Sequence, residues 1–544
     1  MTFVNMFPKL GTFLIISFCS AISLPAQTWP KIYGGNTYTW LQGRVVETYD
    51  KGYLIAGQVD PGPGVPQMHG WIIKTDINGN PLWTKTIASS FYQAAFNGMD
   101  ATPDRGFILS GVTTKLDPEN YDVLIMKFDA CGQKEWCKIF STPGNSDFGL
   151  KIKTVPGGYV ALVDFFQDWT TKRIWLFKLN EDGEPVWEKL INESDTSYLG
   201  SAGEDILITS DSGYLVTGDT YYGSPGHPYW LRPLIIKTDS AGNEQWTLPF
   251  GVQNGLRGDV AQFPSENSSG SFYMSARHFR DSIPLGDSPC FLKVSPSGQE
   301  VYYKDLVGYS QEGGSSTLLL KDNDSLFVGA AWRDSAGTEN IGIIKCDTLG
   351  NISKTVVLFQ DILYSLNAAL FTFDAKYVTG GNFNPSGGNT KIYLYKFNAN
   401  LDPDPGYSQP LVYDSLCPHP VWSDTTTADD CGVITKIDDP LTDPAKYRMR
   451  AYPDPAATLI NLVIPESLLR RSAFGNYRTT TVYHQWRSAT LQIYDFRGQL
   501  VFSKEIPKDI RAVPVDVSRW PRALYLARLI FMNETVAETK FLVE

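Results

Sequence analysis

Three groups of side chains in this 544-residue chain could do chemistry. The first is a row of carboxylates, Asp76, Asp129 and Asp239, each followed by glycine three residues on and tryptophan seven on. Acids at such a beat could hold calcium or move protons. However, Asn180 and Ser295 stand at the same place in other copies, and neither replaces a catalytic acid. We therefore read these positions as turn formers. Their side-chain oxygen accepts from backbone N–H groups just ahead, and the glycine takes the left-handed backbone angle. The second group is five histidines (69, 227, 278, 419, 484), with no pair at metal-ligand spacing. There is no nucleophile elbow, phosphate loop, zinc-protease motif or EF-hand, so we expect no metal and no cofactor. The third group is aromatic. Trp169, Tyr221, Tyr222, Trp230 and Trp332 fall in or beside the segments that vary most, with Arg232 and Arg333. Aromatic faces suit sugar rings or peptide, and we take these five as candidate ligand-binding residues. The competing reading is that they cover neighbouring sheets.

The elements that carry these groups repeat. Lys74, Lys127, Lys178, Lys237, Lys293, Lys345 and Lys396 head the copies, spaced by 53, 51, 59, 56, 52 and 51 residues. Self-similarity at a period near 50 marks a repeat architecture. Each copy holds four strand-like segments, in the first copy residues 44–49, 53–57, 71–76 and 82–87. The third segment is a continuous apolar run, as in Val123-Leu124-Ile125-Met126, so both of its faces are covered. Four-stranded sheets stacked face to face give that environment, and seven copies predict a seven-bladed β-propeller. The lysine closing each run is read as a stem packed on apolar surface with its charge at the rim. The last copy lacks a fourth strand, while residues 28–33 look like an orphan one and are expected to complete blade seven. The variable connections then gather on one face, where binding resides on rigid scaffolds.

Residues 1–26 read as a secretory signal peptide with cleavage between Ala26 and Gln27, and no transmembrane segment is expected. Residues 27–402 are the propeller. Residues 403–450 read as a Pro/Asp-rich linker carrying a small loop closed by Cys417 and Cys431. Cys131 and Cys137 are close in sequence but straddle a turn and the next strand, which puts them beyond ordinary bridging distance. The chain carries a net −11. Residues 446–544 hold 15 Lys/Arg against 9 Asp/Glu, which leaves −18 for residues 27–445 once Lys9 is set aside. An acidic propeller argues against nucleic acid as a partner. Residues 451–544 read as a separate short-stranded β domain, a β-sandwich in size and pattern.

That tail carries Tyr452-Pro453-Asp454-Pro455 before an apolar strand, then Ile493-Tyr494-Asp495-Phe496-Arg497-Gly498-Gln499, Val515-Asp516-Val517-Ser518, Ala523-Leu524-Tyr525 and a closing Lys540-Phe541-Leu542-Val543-Glu544. It resembles the type A C-terminal sorting domain of proteins exported by the type IX secretion system of Gram-negative bacteria. Asp454 and Ala523 stand where that family usually has Asn and Gly. The resemblance implies an immunoglobulin-like sandwich, with Tyr452, Pro453, Pro455, Gly498 and Tyr525 as its sorting-motif residues. It also implies the type IX machinery as partner and a secreted or outer-surface location. The repeats resemble those of secreted bacterial propellers, a resemblance that brings no activity with it. The sialidase-type Asp box and the quinoprotein repeat each differ from the motif here by one residue of spacing, so neither activity is implied.

The fold class expected is therefore all-β, a seven-bladed propeller followed by an immunoglobulin-like sandwich. The function expected is a non-enzymatic exported binding or adhesion module for a glycan or surface protein. The alternative is a secreted carbohydrate-active hydrolase or lyase working at the loop face.

Overall fold

The computed structural model describes residues 29–544 except 36, 63–67, 90, 143–145, 167–171, 193–199, 222–230, 252–259, 281–285, 308–313, 361–363, 386–387, 435–449, 453–456, 464–487, 508–509, 511 and 532–533. It is all-β, with no helix among the described residues. The chain divides into two compact units, one reaching to Gly432 and one from Val433 to the end, the latter with residues 140–144. The signal cleavage pair Ala26 and Gln27 lies outside the described residues.

The first unit is a propeller-like series of antiparallel sheets. Their inner strands are Val45–Glu47, Ala94–Ala101, Ser146–Val155, Ser201–Ile208, Gln262–Glu266, Gly314–Lys321 and Tyr364–Phe371. Each packs on the next in chain order, and the last packs on the first, so the series closes. Lys31–Tyr33 is the outer strand of the final sheet, paired antiparallel with Lys391–Phe397. Third strands such as Asp122–Phe128 are buried along their whole length, which is why they read as unbroken apolar runs.

The repeated motif is a seam. Asp76 Oδ1 accepts from the N–H groups of Asn78 (2.9 Å) and Asn80 (2.8 Å), and Asp129, Asn180, Asp239 and Asp347 do the same in their copies. The tryptophan of each repeat then lies on the glycine of the next. A Cβ on Gly132 would come 2.9 Å from the Trp83 ring, and one on Gly183 2.6 Å from Trp136. Trp29 takes that place against Gly79, before the first repeat begins.

The repeat lysines depart from expectation. Lys74, Lys127, Lys237 and Lys396 are buried rather than at a rim. Each pairs with the aspartate of the hairpin turn in its own sheet: Asp50 (2.5 Å), Asp104 (2.6 Å), Asp211 (2.8 Å) and Asp374 (3.0 Å). Burial alone would raise the Asp50 carboxyl, but the Lys74 charge and hydrogen bonds outweigh it and hold Asp50 below the usual range.

Residues 403–432 are not a linker. They form a strap on the outside of the first unit. Asp404 reaches Lys376 (3.0 Å), the Tyr407 N–H donates to Asn78 Oδ1 (2.6 Å), and the Asp414 N–H donates to Asp50 Oδ2 (3.0 Å). Asp424–Thr426 then adds in parallel to Lys85–Ile87, and the Ala428 N–H donates to the Tyr92 hydroxyl (2.9 Å). The Cys417–Cys431 pairing is corrected accordingly. Cys417 bonds Cys131 and Cys431 bonds Cys137, at Cα separations of 5.5 and 4.7 Å. The strap runs extended along a strand, so its two cysteines are held apart and each meets a cysteine of the second sheet.

The second unit has a three-stranded sheet (Arg450–Tyr452, Leu459–Val463, Ala512–Asp516) and a four-stranded one (Leu500–Pro507, Ser488–Tyr494, Ala523–Phe531, Glu534–Val543). Ile460, Leu462, Val513 and Val515 from the first share one core with Leu491, Ile493, Leu529 and Phe541 from the second.

Candidate functional site

Most inner strands carry a β-bulge at the same step. The register shifts between Phe96 and Gly98, Gly149 and Lys151, Gly203 and Asp205, and Leu366 and Ala368. A bulge re-aims the side chains beside it. Arg44, Asn97, Lys151, Glu204, Asp205 and Gln262 lie in or beside these strands and contact one another between sheets, and Lys153 follows Lys151 on the same strand face, with Ile152 buried between them.

These side chains engage from sheet to sheet. Arg44 is ion-paired to Asp205, from the first sheet to the fourth, and its guanidinium lies 4.3 Å from the Phe263 ring centre in the fifth. Lys151 Nζ donates to the Asn97 carbonyl (3.0 Å), and Gln262 Nε2 donates to Glu204 Oε2 (3.1 Å). Behind them, Asp164 Oδ1 accepts from the Gly203 N–H (2.7 Å).

Enclosure and mutual charge move the titrations. Burial, with Arg44 nearby, brings the Lys151 ammonium down to about 8. Burial raises Asp164 well above the carboxylate range and raises Glu204 against the pull of Lys151. It would raise Asp205 too, but Arg44 and then Lys151 outweigh it and hold Asp205 low. Perturbed groups gathered together make this a candidate site, although structural ion-pair networks shift titrations as well. The group holds a lysine whose proton is loosened, two carboxyls whose protonated form burial favours, and a carboxylate whose ionised form a guanidinium favours.

The residues singled out from sequence fall elsewhere. Trp169, Tyr222 and Trp230 lie outside the described residues, and Tyr221 ends the strand Tyr214–Tyr221 with its side chain likewise undescribed. Trp332 is 6% exposed, packed with Ala330 and Ile344. It is a core residue, not a ligand platform, because its strand position faces between sheets. Tyr452 belongs to the first strand of the second unit, and Pro453 and Pro455 lie outside the described residues. Gly498 sits in the Asp495 turn at φ +77°, and the buried Tyr525 donates to the Pro521 carbonyl (2.8 Å). The axial residues were missed. A partial signal was a polar residue inside an otherwise small or apolar stretch of first strand, as at Asn97 and Glu204.

No family model matches the chain, and no curated protein matches it. Solved structures with a similar arrangement include a polysaccharide (ulvan) lyase, at 8% identity over 67% of this chain and 95% of that one, TM-score 0.43. An α-L-arabinanase of Penicillium chrysogenum complexed with arabinobiose matches at 9% identity over 68% and 96%, TM-score 0.36. A subtype N11 neuraminidase-like protein matches at 14% identity over 59% and 91%, TM-score 0.36. Enzymes thus stand among these structures, and the expectation of a non-enzymatic protein is withdrawn. At these identities and scores they carry no argument for a particular reaction.

Proposed function

We propose that this chain is an exported seven-bladed β-propeller that takes a glycan at its axial site, carried outward by an immunoglobulin-like sorting domain at its C-terminus. The closed order of inner strands supports the blade count. The motif series from Tyr452 to Glu544 supports the sorting role, the type IX machinery as partner and a secreted or outer-surface location. The observation that carries the ligand reading is the axial group itself. Lys151, Glu204 and Gln262 alternate donors and acceptors in a half-buried space, which matches a ligand made of hydroxyls. The shifted Lys151, Asp164 and Glu204 favour a second reading at the same place, proton transfer on the bound sugar.

The test is glycan-array binding and polysaccharide turnover by the full chain, beside Lys151→Gln and Glu204→Gln. Binding lost in both variants supports the reading. Binding untouched by either moves the ligand away from the axis. Export is tested by expressing the chain with and without residues 451–544 in a type IX-competent host. Unchanged export without the tail would remove the sorting role.

A further inference from the structure

We propose that Cys131–Cys417 is a thiol-exchange site, opened and closed by small external dithiols while the fold stays intact and Cys137–Cys431 stays shut. The two bridges hold the same strap but sit in different surroundings. Cys137 and Cys431 are 6% and 7% exposed and belong to an apolar cluster with Trp83, Ile87, Ile139 and Ala428. Sheet pairing flanks that bridge too, because Gly432–Ile434 adds to Lys134–Phe140, the strand that carries Cys137. Cys131 and Cys417 are only half-buried. Cys131 stands in the Asp129 turn, where its N–H donates to Asp129 Oδ1 (2.9 Å). Cys417 closes a bend, its N–H donating to the Asp414 carbonyl (2.9 Å), with exposed residues at 415–416 and 418–420. Exchange needs a thiolate to reach one sulfur of the bridge, so access decides which of the two reacts.

The chemistry balances through the external dithiol. Its thiolate attacks one bridge sulfur, and the other leaves as a thiolate that takes a proton. The dithiol's second thiolate then displaces the first cysteine, and the dithiol departs as its own cyclic disulfide. Two electrons and two protons pass to the cysteines, and a small oxidised dithiol reverses each step. The opened pair stays in place. The inner bridge, the Asp414 N–H to Asp50, the Ile77 N–H to the Tyr413 hydroxyl (3.0 Å) and the Lys85–Asp424 pair still hold the strap. The two thiols therefore remain neighbours at a high effective concentration, and closing restores the original bond.

The experiment is timed treatment of the full, natively folded chain with dithiothreitol, followed by alkylation and peptide mapping by mass spectrometry. The buried thiols of Cys290 and Cys346 gauge unfolding, because they are alkylated only when their sheets open. The expected result is that Cys131 and Cys417 label together, at least about tenfold faster than Cys137 and Cys431, with Cys290 and Cys346 silent. Oxidised dithiothreitol should then return the linked Cys131–Cys417 peptides. In Cys131→Ala with Cys417→Ala, Cys137 and Cys431 should still resist labelling, because their shield is the apolar cluster. In Cys137→Ala with Cys431→Ala, Cys131 and Cys417 should label at an unchanged rate with Cys346 silent. Labelling of both pairs at one rate in the native chain, with or without Cys346, overturns the proposal. So does labelling of Cys137 and Cys431 first, or of neither pair. Labelling of Cys137 and Cys431 once the outer pair is removed overturns the assignment of their protection to the core.

Discussion

Cutting one of the two strap disulfides should cost much less than half of what cutting both costs. Cys131–Cys417 and Cys137–Cys431 close loops of 286 and 294 residues, but they run side by side. While either remains, the other closes only the short circuit of about 20 residues between the two bridges. The chain-entropy relation gives about 3 kcal/mol for such a loop and about 5.5 kcal/mol for the long one. Removing either bridge alone should therefore cost about 3 kcal/mol, and removing both about 9 kcal/mol, more than the sum of the single losses. The variants are Cys131→Ala with Cys417→Ala, Cys137→Ala with Cys431→Ala, and all four together. The assay is equilibrium urea unfolding followed by tryptophan fluorescence. Trp83, Trp136 and Trp187 report on the seams of the first unit, whose transition must be separated from that of the second. Strap hydrogen bonds and the Lys85–Asp424 pair (2.6 Å) persist in every variant. A four-site variant that loses only the sum of the two pairs, or no more than one pair, would refute the two-point anchoring argument.

Three further outcomes follow from the same geometry. Gly132→Ala should destabilise the first unit by about 1–3 kcal/mol, read by the same unfolding assay, because φ is +70° and the new Cβ would strike Trp83. Asp205→Asn should cost about 3–5 kcal/mol by leaving the Arg44 charge enclosed without its partner; a loss under 1 kcal/mol would mean water reaches the pair freely. Lys151 should acylate with a midpoint near pH 8, below the ordinary lysine range, as read by mass spectrometry of labelled peptides. Its lowered value disfavours the folded state at and below pH 8, so this group's contribution to stability rises as pH climbs from there towards the unfolded lysine value.

What was legible in the sequence is what is local in it. An oxygen at Asp76, a glycine at 79 and an indole at 83 build one turn and one seam contact, and the pattern recurs because each repeat solves the same problem. The apolar third strands showed that both faces are covered. A fourth strand without a sheet at residues 28–33, and a sheet without a fourth strand at 391–397, were both visible. Even so, the buried state of Lys74 was misread, because its partner Asp50 lies 24 residues earlier, in a different turn.

The rest was decided by tertiary structure. Proline and aspartate at 403–432 have the composition of a spacer, and nothing in composition says that an extended segment will find an outer strand to lie along. Cysteine partners 286 and 294 residues apart cannot be read from spacing, because proximity along the chain favours the wrong pair. The axial site is the extreme case. Arg44, Lys151, Glu204 and Asp205 come from three sheets, each an unremarkable polar residue in its own strand. Only closing the series brings them to one axis, where enclosure and mutual charge, both properties of the assembled ring, give them their chemistry.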